Sequence, residues 1–438
     1  MRVLLIGSGG REHAIARSLL RSSELDSLFV APGNAGTASY NVELTVGDHD
    51  AVIAFCVDRS VDLVVVGPEV PLVDGIADRL ADADIACFGP SAAAAQLEGS
   101  KSFSRAFADS VGIPQPKSGT FASSDEAIAW LDEVGVPVVV KADGLAAGKG
   151  VVIPEDRAET EQAIRAMLDD AQFGESSSTI VLEERMHGEE LSLFGISDGT
   201  TVVTLATAQD HKRVGDGDTG LNTGGMGAFA PVPGIDAERQ AELADMFLAP
   251  AIKGMADAGT PFVGVLFAGL MLTDDGPRLV EYNCRFGDPE AEVILPLINS
   301  DALELLHAAA TGTLDQVTVE MSDAAAATVV VAATGYPQSP RKGVALNLPE
   351  TPDGSGVTIF HAGTRNDDDG SLVSSGGRVL SVTGVGETLD EALTRSYEVV
   401  DVIVAAAPDE GLFARSDIGW RHASRNARRT PPTPGGQP

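Results

Sequence analysis

Residues 141–150 read "KADGLAAGKG", a glycine-rich decapeptide that lies between two apolar runs. The chain contains seven lysines, and two of them, Lys141 and Lys149, fall in this stretch. Glycines 144, 148 and 150 let backbone N–H groups approach an anion closely, and a lysine adds a compact positive charge. The stretch therefore predicts a phosphate-binding loop.

This loop does not have the form of a Walker loop, which follows the pattern G-x-x-x-x-G-K-[ST] between a strand and a helix. The interval from Gly144 to Lys149 is one residue short, and Gly150 stands where the Ser or Thr that holds magnesium would be. The flanking runs "VPVVVKAD" and "GVVIPED" both favour strands. We therefore expect a hairpin lid over the ligand, while a simple hairpin with an exposed lysine is the alternative.

Composition limits the possible functions. The 438 residues are 44% hydrophobic, enough for two to four domains with substantial cores. The net charge of −34 disfavours nucleic-acid binding, because a duplex would be repelled. No apolar run is long enough to span a bilayer, so we expect a cytoplasmic protein without membrane contact. An acid excess with few lysines favours adaptation to high salt over an ordinary acidic cytosolic protein.

Patterns along the chain predict several domains. Strand-like and helix-like runs alternate over residues 1–99, which favours a parallel α/β sheet. A smaller unit of strands and helices follows, and a new section begins near residue 320. The final "RNARRTPPTPGGQP" favours a disordered tail. The predicted divisions are 1–100, 101–317 with a lid subdomain at about 119–190, 318–422, and the tail 423–438.

The stretch "RLVEYNCRFGDPE" (278–290) begins as a strand. Side chains alternate between the faces of a strand, so Glu281, Asn283 and Arg285 share one side while the residues between them can pack in a core. A carboxylate and an amide oxygen two residues apart suit Mg²⁺. A surface ion pair between Glu281 and Arg285 is the alternative.

The stretch "QDHKRVGDGDTGLNTGGMG" (209–227) has clustered polar residues and six glycines. A structureless loop this long inside a domain is usually functional. Lys212 and Arg213 offer donors to a carboxylate or phosphate, and Asp210 and Asp218 can hold an amine. We therefore expect a substrate-binding loop.

The start of the chain, "LLIGSGGREHAIA", predicts a strand, a glycine turn and a helix, whose amino terminus attracts phosphate. The dinucleotide fingerprint G-x-G-x-x-G would need a third glycine at Glu12. The fingerprint is incomplete, which disfavours a nucleotide-binding oxidoreductase.

From residue 1 to about 422, the chain resembles the phosphoribosylamine–glycine ligase family of the ATP-grasp superfamily. The resemblance lies in long motifs in the family's order: "GSGGREHA", "APGNAGT", "GPEVPLVDG", "QLEGSK", "KADGLAAGKG", "DHKRVGDGDTGLNTGGMGA", "EYNCRFGDPE", "HAGT" and "GGRVL". It implies an ATP-grasp fold, of class α/β and α+β, with an N-terminal Rossmann-like parallel-sheet domain and a C-terminal mixed β domain.

The resemblance also implies an activity. ATP would phosphorylate glycine to glycyl phosphate, and 5-phosphoribosylamine would then attack it, giving glycinamide ribonucleotide, ADP and phosphate in purine biosynthesis. The cofactors would be ATP and Mg²⁺ or Mn²⁺, the partners small-molecule substrates alone, and the chain a monomer.

Site residues follow from the same resemblance. The catalytic candidates are Lys149, Arg285, Asp210 and His211, with His211 either a general base or a positioning donor. The ATP candidates are Lys101, Lys141, Gly144, Gly148, Lys149, Gly150, Glu183, Glu184, Met186 and Glu189. The substrate candidates are Gly9, Gly10, Arg11, Asn34, Ala35, Gly36, Lys212, Arg213, Asp218, Asn222 and Asp288. The metal candidates are Glu281 and Asn283.

Two alternatives remain open from the sequence. Another ATP-grasp ligase, such as a purine-pathway carboxylase, would show bicarbonate dependence and glycine-independent ADP release. A non-catalytic binding protein is disfavoured because Lys141, Lys149, Glu281 and Asn283 are all present.

Overall fold

The computed structural model describes residues 1–146, 150–352 and 354–422, apart from the side chain of Glu175. Gly148, Lys149 and the predicted tail lie outside the described residues. A parallel sheet at the amino terminus is followed by antiparallel sheets, which confirms the predicted mixture of α/β and α+β structure.

The amino-terminal region is a parallel sheet of β1 (Arg2–Gly7), β2 (Ser27–Pro32), β3 (Leu63–Val66) and β4 (Ala86–Phe88). The strands pair in the order β2-β1-β3-β4. The apolar runs of β1 and β3 are almost wholly buried, as expected where both faces of a parallel sheet are covered. The accompanying helices are α1 (Gly10–Leu19), α2 (His49–Arg59), α3 (Glu69–Val73), α4 (Ile76–Ala81) and α5 (Ala92–Gly99).

Helix α6 (Lys101–Ser110) leads into a small antiparallel sheet with its own apolar core. Its strands are β5 (Ser118–Phe121), β6 (Val138–Ala142), β7 (Val151–Val152) and β8 (Ile180–Glu184), in the order β5-β8-β6-β7. Helices α7 (Ser124–Val134) and α8 (Arg157–Leu168) complete this unit. Because β6 and β7 pair antiparallel on either side of the glycine loop, the predicted hairpin is confirmed.

A second antiparallel sheet has the order β10-β9-β15-β16, and it contacts the first where Lys141 Nζ donates to Val280 O at 3.4 Å. Its strands are β9 (Glu189–Asp198), β10 (Val202–Thr204), β15 (Val263–Thr273) and β16 (Gly276–Asn283). Four short strands lie between β10 and β15: β11 (Gln209–Asp210), β12 (Arg213–Gly215), β13 (Thr219–Asn222) and β14 (Gly227–Ala230). Helices α9 (Ala237–Phe247) and α10 (Ala249–Asp257) follow them.

The stretch 209–227 is therefore not structureless, and that prediction was wrong. Strands β12 and β13 pair as a hairpin. Its turn contains Gly217 and Asp218, with φ of 66° and 56°, and Gly220 in β13 has a φ of 79°. This left-handed backbone closes the turn, and glycine adopts it without strain. The high glycine content thus marks a tight hairpin.

The carboxyl-terminal region is built on a larger sheet. Helices α11 (Ala291–Ile294) and α12 (Ala302–Thr311) precede β17 (Ala325–Ala333), β18 (Val357–His361), β19 (Thr364–Asn366), β20 (Leu372–Ser374), β21 (Arg378–Gly386), α13 (Leu389–Ala406) and β22 (Leu412–Phe413). The sheet order is β11-β14-β17-β21-β18, and β22 also pairs with β17. Strands β11 and β14 flank the β12–β13 hairpin, so the hairpin is anchored on the carboxyl-terminal sheet.

Candidate active site

The carboxylate of Glu183, at the end of β8, is bound from two sides. Lys141 Nζ lies 2.8 Å and Arg105 Nη2 2.7 Å from its Oε2, and Arg105 Nε donates to Oε1 at 2.8 Å. All three side chains are at most 7% exposed. Burial acts to raise the pKa of Glu183, but Lys141 and Arg105 bring it below its ordinary value. The ionised carboxylate therefore holds Lys141 in a fixed position where the two antiparallel sheets meet, a region called here the inter-sheet cleft.

The segment 183–186, predicted to meet adenine, forms the connection out of β8. The amides of Glu184 and Arg185 donate to the carbonyls of Lys117 and Pro137, each at 2.8 Å. The Glu184 side chain pairs with Arg278 at 3.3 Å. An adenine contact through this segment would have to use its other backbone groups, including those of Met186.

The described ends of the glycine loop are tied to neighbouring segments. The Gly144 amide donates to Ser176 O at 3.1 Å, and the Ala142 amide donates to Gly150 O at 2.8 Å. The Asp143 carboxylate accepts the Ser102 amide at 2.7 Å, which joins the base of the loop to the first turn of α6. The Gly144 amide is thus already used, so the predicted phosphate contact at this residue is not supported.

The side chain of Glu281, on β16, lies among cations. Burial acts to raise the pKa of Glu281, but Lys212, Lys141 and Lys101 lower it below its ordinary value. Lys212 itself pairs with Glu190. An ionised carboxylate among these lysines suits a site that handles phosphate groups and a divalent cation.

Asn283 lies two residues further along β16 and is buried. Its Oδ1 accepts a hydrogen bond from Arg285 Nη2 at 3.2 Å. Tyr282, Cys284 and Phe286, which alternate with the polar set, are at most 2% exposed. The predicted division into a polar face and a core face is confirmed. One carboxylate and one amide oxygen form a hard-oxygen pair that fits Mg²⁺ or Mn²⁺, since such ions take few protein ligands beside phosphate oxygens.

Arg285 lies where the amino-terminal region meets the second sheet. Its Nη2 lies 2.7 Å from Glu98 Oε1, and its Nε lies 3.3 Å from Glu69 Oε2. Burial acts to lower the pKa of Arg285, and the two glutamates raise it above its ordinary value. Sequence reasoning missed Glu69, Glu98 and Arg105 as partners. Glu69 and Glu98 do lie in the quoted motifs "GPEVPLVDG" and "QLEGSK".

Asp210 and His211 start the substrate stretch. Burial raises the pKa of Asp210 well above its ordinary value, although Lys212 opposes this shift. His211 Nε2 accepts the Gly419 amide at 3.0 Å, and burial lowers the pKa of this histidine to about 4. The hydrogen bond occupies the lone pair that a general base would use, so the geometry supports a positioning role for His211.

The carboxyl-terminal strap, defined here as residues 412–422, holds the β12–β13 hairpin. Arg415 Nη1 lies 3.0 Å from Asp218 Oδ1, and Arg421 Nη2 lies 2.8 Å from Asp218 Oδ2. The Asp218 carboxylate is thus bound by two arginines, which disagrees with its predicted contact to a substrate amine. Arg213 donates within the hairpin to Gly220 O at 2.7 Å, and Asn222 is exposed. Of the predicted substrate residues in the stretch, Lys212 remains in the cleft.

The amino-terminal glycine turn is filled by the chain's own carboxylate. Glu12 Oε2 accepts the amides of Ser8 at 3.0 Å and Gly9 at 2.5 Å. Glu12 also pairs with Arg11, whose Nη1 donates to Phe286 O at 3.2 Å. Because Glu12 already occupies the Ser8 and Gly9 amides, the structure does not support the expected phosphate contact at this turn.

Asn34 ties three segments together. Its Nδ2 donates to Ser8 O at 2.9 Å and to His361 O at 2.7 Å, while its Oδ1 accepts the Gly36 amide at 2.8 Å. Ala35 and Gly36 begin the short 3-10 helix that follows. The side chain of Asn34 is thus engaged in joining the amino-terminal loops to β18.

A cavity of about 390 Å³, called here the seam cavity, lies where the amino-terminal turns, the segment after β16 and the carboxyl-terminal loops meet. This volume falls in the range of small-molecule sites. Its lining residues are Ser8, Gly9, Gly33, Asn34, Asp288, Tyr336, Ala362, Gly363, Thr364, Ser375, Gly376 and Arg378. Gly9, Asn34 and Asp288 were predicted substrate residues. Gly10 lies behind the turn, packed against Glu292.

In the part of the chain that the structure describes, no helix is long and apolar enough to cross a membrane. No group of three or more His, Cys, Asp or Glu side chains in that part could hold a metal ion. The Glu281–Asn283 pair contains one residue of these four types, so it is not such a group.

Comparison with protein families gives three matches along the chain. Residues 1–98 match the phosphoribosylglycinamide synthetase N domain, residues 99–291 its ATP-grasp (A) domain, and residues 326–421 its C domain.

Curated proteins and solved structures agree with these matches. The phosphoribosylamine–glycine ligase of Brucella melitensis biotype 1 is 50% identical over 97% of this chain and 99% of its own length. That of Vibrio vulnificus (strain CMCP6) is 45% identical over 98% and 100%. The crystal structure of the Thermotoga maritima phosphoribosylamine–glycine ligase superposes with a TM-score of 0.81 at 33% identity, covering 95% of this chain and 100% of that one.

More distant structures share the fold alone. The biotin carboxylase domain of Hydrogenobacter thermophilus 2-oxoglutarate carboxylase superposes with a TM-score of 0.71 at 14% identity, covering 94% of this chain and 91% of that one. That structure was determined with MgADP and bicarbonate.

Proposed function

The chain belongs to the phosphoribosylglycinamide synthetase family, and on that premise we propose that the inter-sheet cleft and the seam cavity form one ligase site. The enzyme is an ATP-dependent phosphoribosylamine–glycine ligase of purine biosynthesis. ATP phosphorylates the glycine carboxylate, and ADP leaves. The amine of 5-phosphoribosylamine then attacks the acyl carbon, the bond to phosphate breaks, and the amine loses a proton.

The arrangement around Glu183 and Glu281 carries the assignment of the ATP end. Lys141 is fixed by Glu183, and the charges of Lys212, Lys141 and Lys101 lower the pKa of Glu281 below its ordinary value. Such fixed positive charges stabilise phosphate groups in the transition state without reorganising. Glu281 and Asn283 would hold the divalent cation, which we propose is Mg²⁺ or Mn²⁺ and which would neutralise phosphate charge when bound.

Arg285 and the seam cavity define the substrate end. Arg285 lies between the metal pair and the amino-terminal region, where a guanidinium suits the carboxylate of glycine. Asp288 lines the seam cavity and is a suitable partner for the amine of 5-phosphoribosylamine. Lys149, outside the described residues, stays the predicted lid residue that closes over ATP. We also propose that the chain acts as a cytoplasmic monomer.

Release of ADP that depends on both glycine and 5-phosphoribosylamine is the first test. Bicarbonate-dependent, glycine-independent ADP release would instead support a carboxylase and would overturn the proposal.

The ATP assignment is tested by Lys141→Met. Loss of one charge-assisted contact of about 1.5–3 kcal/mol should raise the KM for ATP by about ten- to hundredfold. Lys253, an exposed lysine paired with Asp257, offers the matched control Lys253→Met, which should leave this KM unchanged. Equal effects of the two substitutions in steady-state assays would remove Lys141 from the ATP site.

A further inference from the structure

If 5-phosphoribosylamine binds in the seam cavity, the cavity must bind its phosphate. The hydrogen-bond donors of each wall indicate which wall can do this. The amino-terminal wall offers the turn at Ser8 and Gly9. Both amides already donate to the Glu12 carboxylate. A phosphate placed on them would displace this carboxylate and lie beside its negative charge. The amino-terminal turn therefore disfavours the phosphate.

The backbone of the carboxyl-terminal wall is also engaged. The Gly363 amide donates to Arg378 O at 2.9 Å, and the Ser375 and Gly376 amides donate to Gly363 O at 2.7 and 3.3 Å. The Thr364 amide donates to Ala362 O at 2.8 Å. These contacts hold the two loops against each other. The wall is therefore rigid but has few amides left for a ligand.

Arg378 is the only cation among the described residues that line the seam cavity. Within the described part of the chain, its hydrogen bonds to Gly224 O and Asp288 O, both 2.7 Å, leave from Nη1. Asp288 Oδ1 also lies 3.1 Å from this nitrogen. Held through one nitrogen, the planar guanidinium keeps Nη2 and Nε for a second partner.

The surroundings of Arg378 fit the binding of a second partner through Nη2 and Nε. The side chain is 22% exposed, so it reaches the cavity without being freely solvated. A Cβ at Gly224 would lie 3.0 Å from the guanidinium carbon, so glycine there leaves room for the arginine. An arginine fork binds phosphate oxygens in pairs and keeps its charge at every accessible pH.

We propose that Arg378 binds the 5-phosphate of phosphoribosylamine and thereby determines specificity for the phosphorylated sugar. Asp288, beside it, faces the same cavity and suits the amine of the same molecule. The carboxyl-terminal region then supplies the phosphate contact that the glycine turn at the amino terminus cannot. This inference rests on the proposed assignment of the seam cavity to 5-phosphoribosylamine.

Calorimetric titration with ribose 5-phosphate and with ribose tests the proposal. Wild-type enzyme should prefer ribose 5-phosphate. Arg378→Met should weaken ribose 5-phosphate binding by about ten- to hundredfold, the value of one or two charge-assisted contacts, and leave ribose and ATP binding unchanged. In turnover, KM for 5-phosphoribosylamine should rise while KM for ATP stays the same. Arg378→Lys should restore part of the preference.

Arg341→Met is the matched control, since Arg341 is a carboxyl-terminal arginine whose exposed ion pair with Asp409 lies outside the cavity lining. It should change neither affinity. Should Arg378→Met not fold, Arg378→Gln, which keeps a donor for Gly224 O, is measured instead.

An unchanged ratio of the two affinities in a folded Arg378 variant would overturn the proposal, as would a wild type without preference for ribose 5-phosphate. Wild-type ADP release that still depends on glycine and 5-phosphoribosylamine would show that only this inference had failed. Loss of that dependence would instead contradict the proposed function.

Discussion

Glu292 is a buried carboxyl group whose pKa departs from its ordinary value. It is fully buried in α11, and neither carboxyl oxygen has a hydrogen-bond partner within the described residues. A Cβ on Gly10 would overlap it, so glycine at the start of α1 is required for this packing. Burial and the nearby Asp288 raise the pKa of Glu292 well above its ordinary value, while Arg378 opposes the shift. The carboxyl is thus held in its neutral form.

Glu292→Gln should stabilise the fold at neutral and alkaline pH. Because the folded pKa is raised, the unfolded chain loses its proton first, and the parent loses stability as pH rises from about 4.3 to the folded pKa. Glutamine cannot ionise, so we expect a gain of about 1–3 kcal/mol at about pH 8 that shrinks toward about pH 4. Urea unfolding at both pH values measures it.

The exposed Glu304 of α12 provides the control Glu304→Gln, which should have little effect at either pH. If both variants gained equally at alkaline pH, the effect would be general charge relief, and the special state assigned to Glu292 would be wrong.

Some residues of the candidate site could be predicted from the sequence, and others could not. Glu281 and Asn283 were predicted because strand alternation is a local rule, and the sequence alone shows which side chains share a face. Arg105 and Glu98 were not predicted, because their partners lie far along the chain. Arg105 binds Glu183, which is 78 residues away, and Glu98 binds Arg285, which is 187 residues away. Such pairings leave no periodic pattern in a sequence.

Among the structural elements, the carboxyl-terminal strap and the β12–β13 hairpin form one unit. Arg415 is 1% exposed and pairs with Asp218 at 3.0 Å and with Asp417 at 2.8 Å. The Gly217 amide donates to Asp417 at 2.7 Å, and Ser416 N donates to Asp216 at 2.9 Å. Strand β13 is exposed at all four of its residues, so these contacts hold the hairpin in place beside Lys212 and His211.

Arg415→Met should destabilise the enzyme by about 1–3 kcal/mol, because it removes a buried arginine that binds the partly buried carboxylates of Asp218 and Asp417. Hydrogen exchange should also show loss of protection in the β12–β13 hairpin, and kcat should fall. Arg421 binds the same Asp218 but is 39% exposed. Arg421→Met should therefore cost less than about 1 kcal/mol.

Loss of protection spread evenly over the molecule in Arg415→Met, rather than concentrated in the hairpin, would contradict the role of the strap. So would equal destabilisation by the two substitutions.

The sequence predicts some structural elements of the site and misses others. The lid hairpin was predicted because two apolar runs and a glycine loop between them are contiguous. The β12–β13 hairpin was missed, because polar strands stabilised by the distant strap lack the alternation of apolar residues that marks a strand. The strand, glycine turn and helix at the amino terminus were predicted correctly. The anion that the turn binds in the structure is the carboxylate of Glu12, a residue of the chain itself.

For the whole molecule, the net charge of −34 sets the response to salt. Thirty Lys and Arg face sixty-four Asp and Glu, so self-repulsion in the folded state is large, and screening should relieve it. We expect Tm to rise as KCl increases from about 0.1 M to about 1 M, where the Debye length falls from about 10 Å to about 3 Å. Calorimetry at matched ionic steps measures it.

An uncharged osmolyte at equal osmolality separates screening from solvent exclusion. Greatest stability and activity in dilute buffer would contradict the salt hypothesis.

The pairing of the strap with the hairpin has a consequence for biosynthesis. Gly217 and its partner Asp417 are separated by 200 positions, so a nascent chain exposes the hairpin long before the segment that holds it exists. At about 5–20 residues per second, this interval lasts about 10–40 seconds. A chain interrupted before the strap could hold every predicted site residue and still lack an ordered site. Completion of translation, more than folding of any one domain, then decides when the enzyme becomes active.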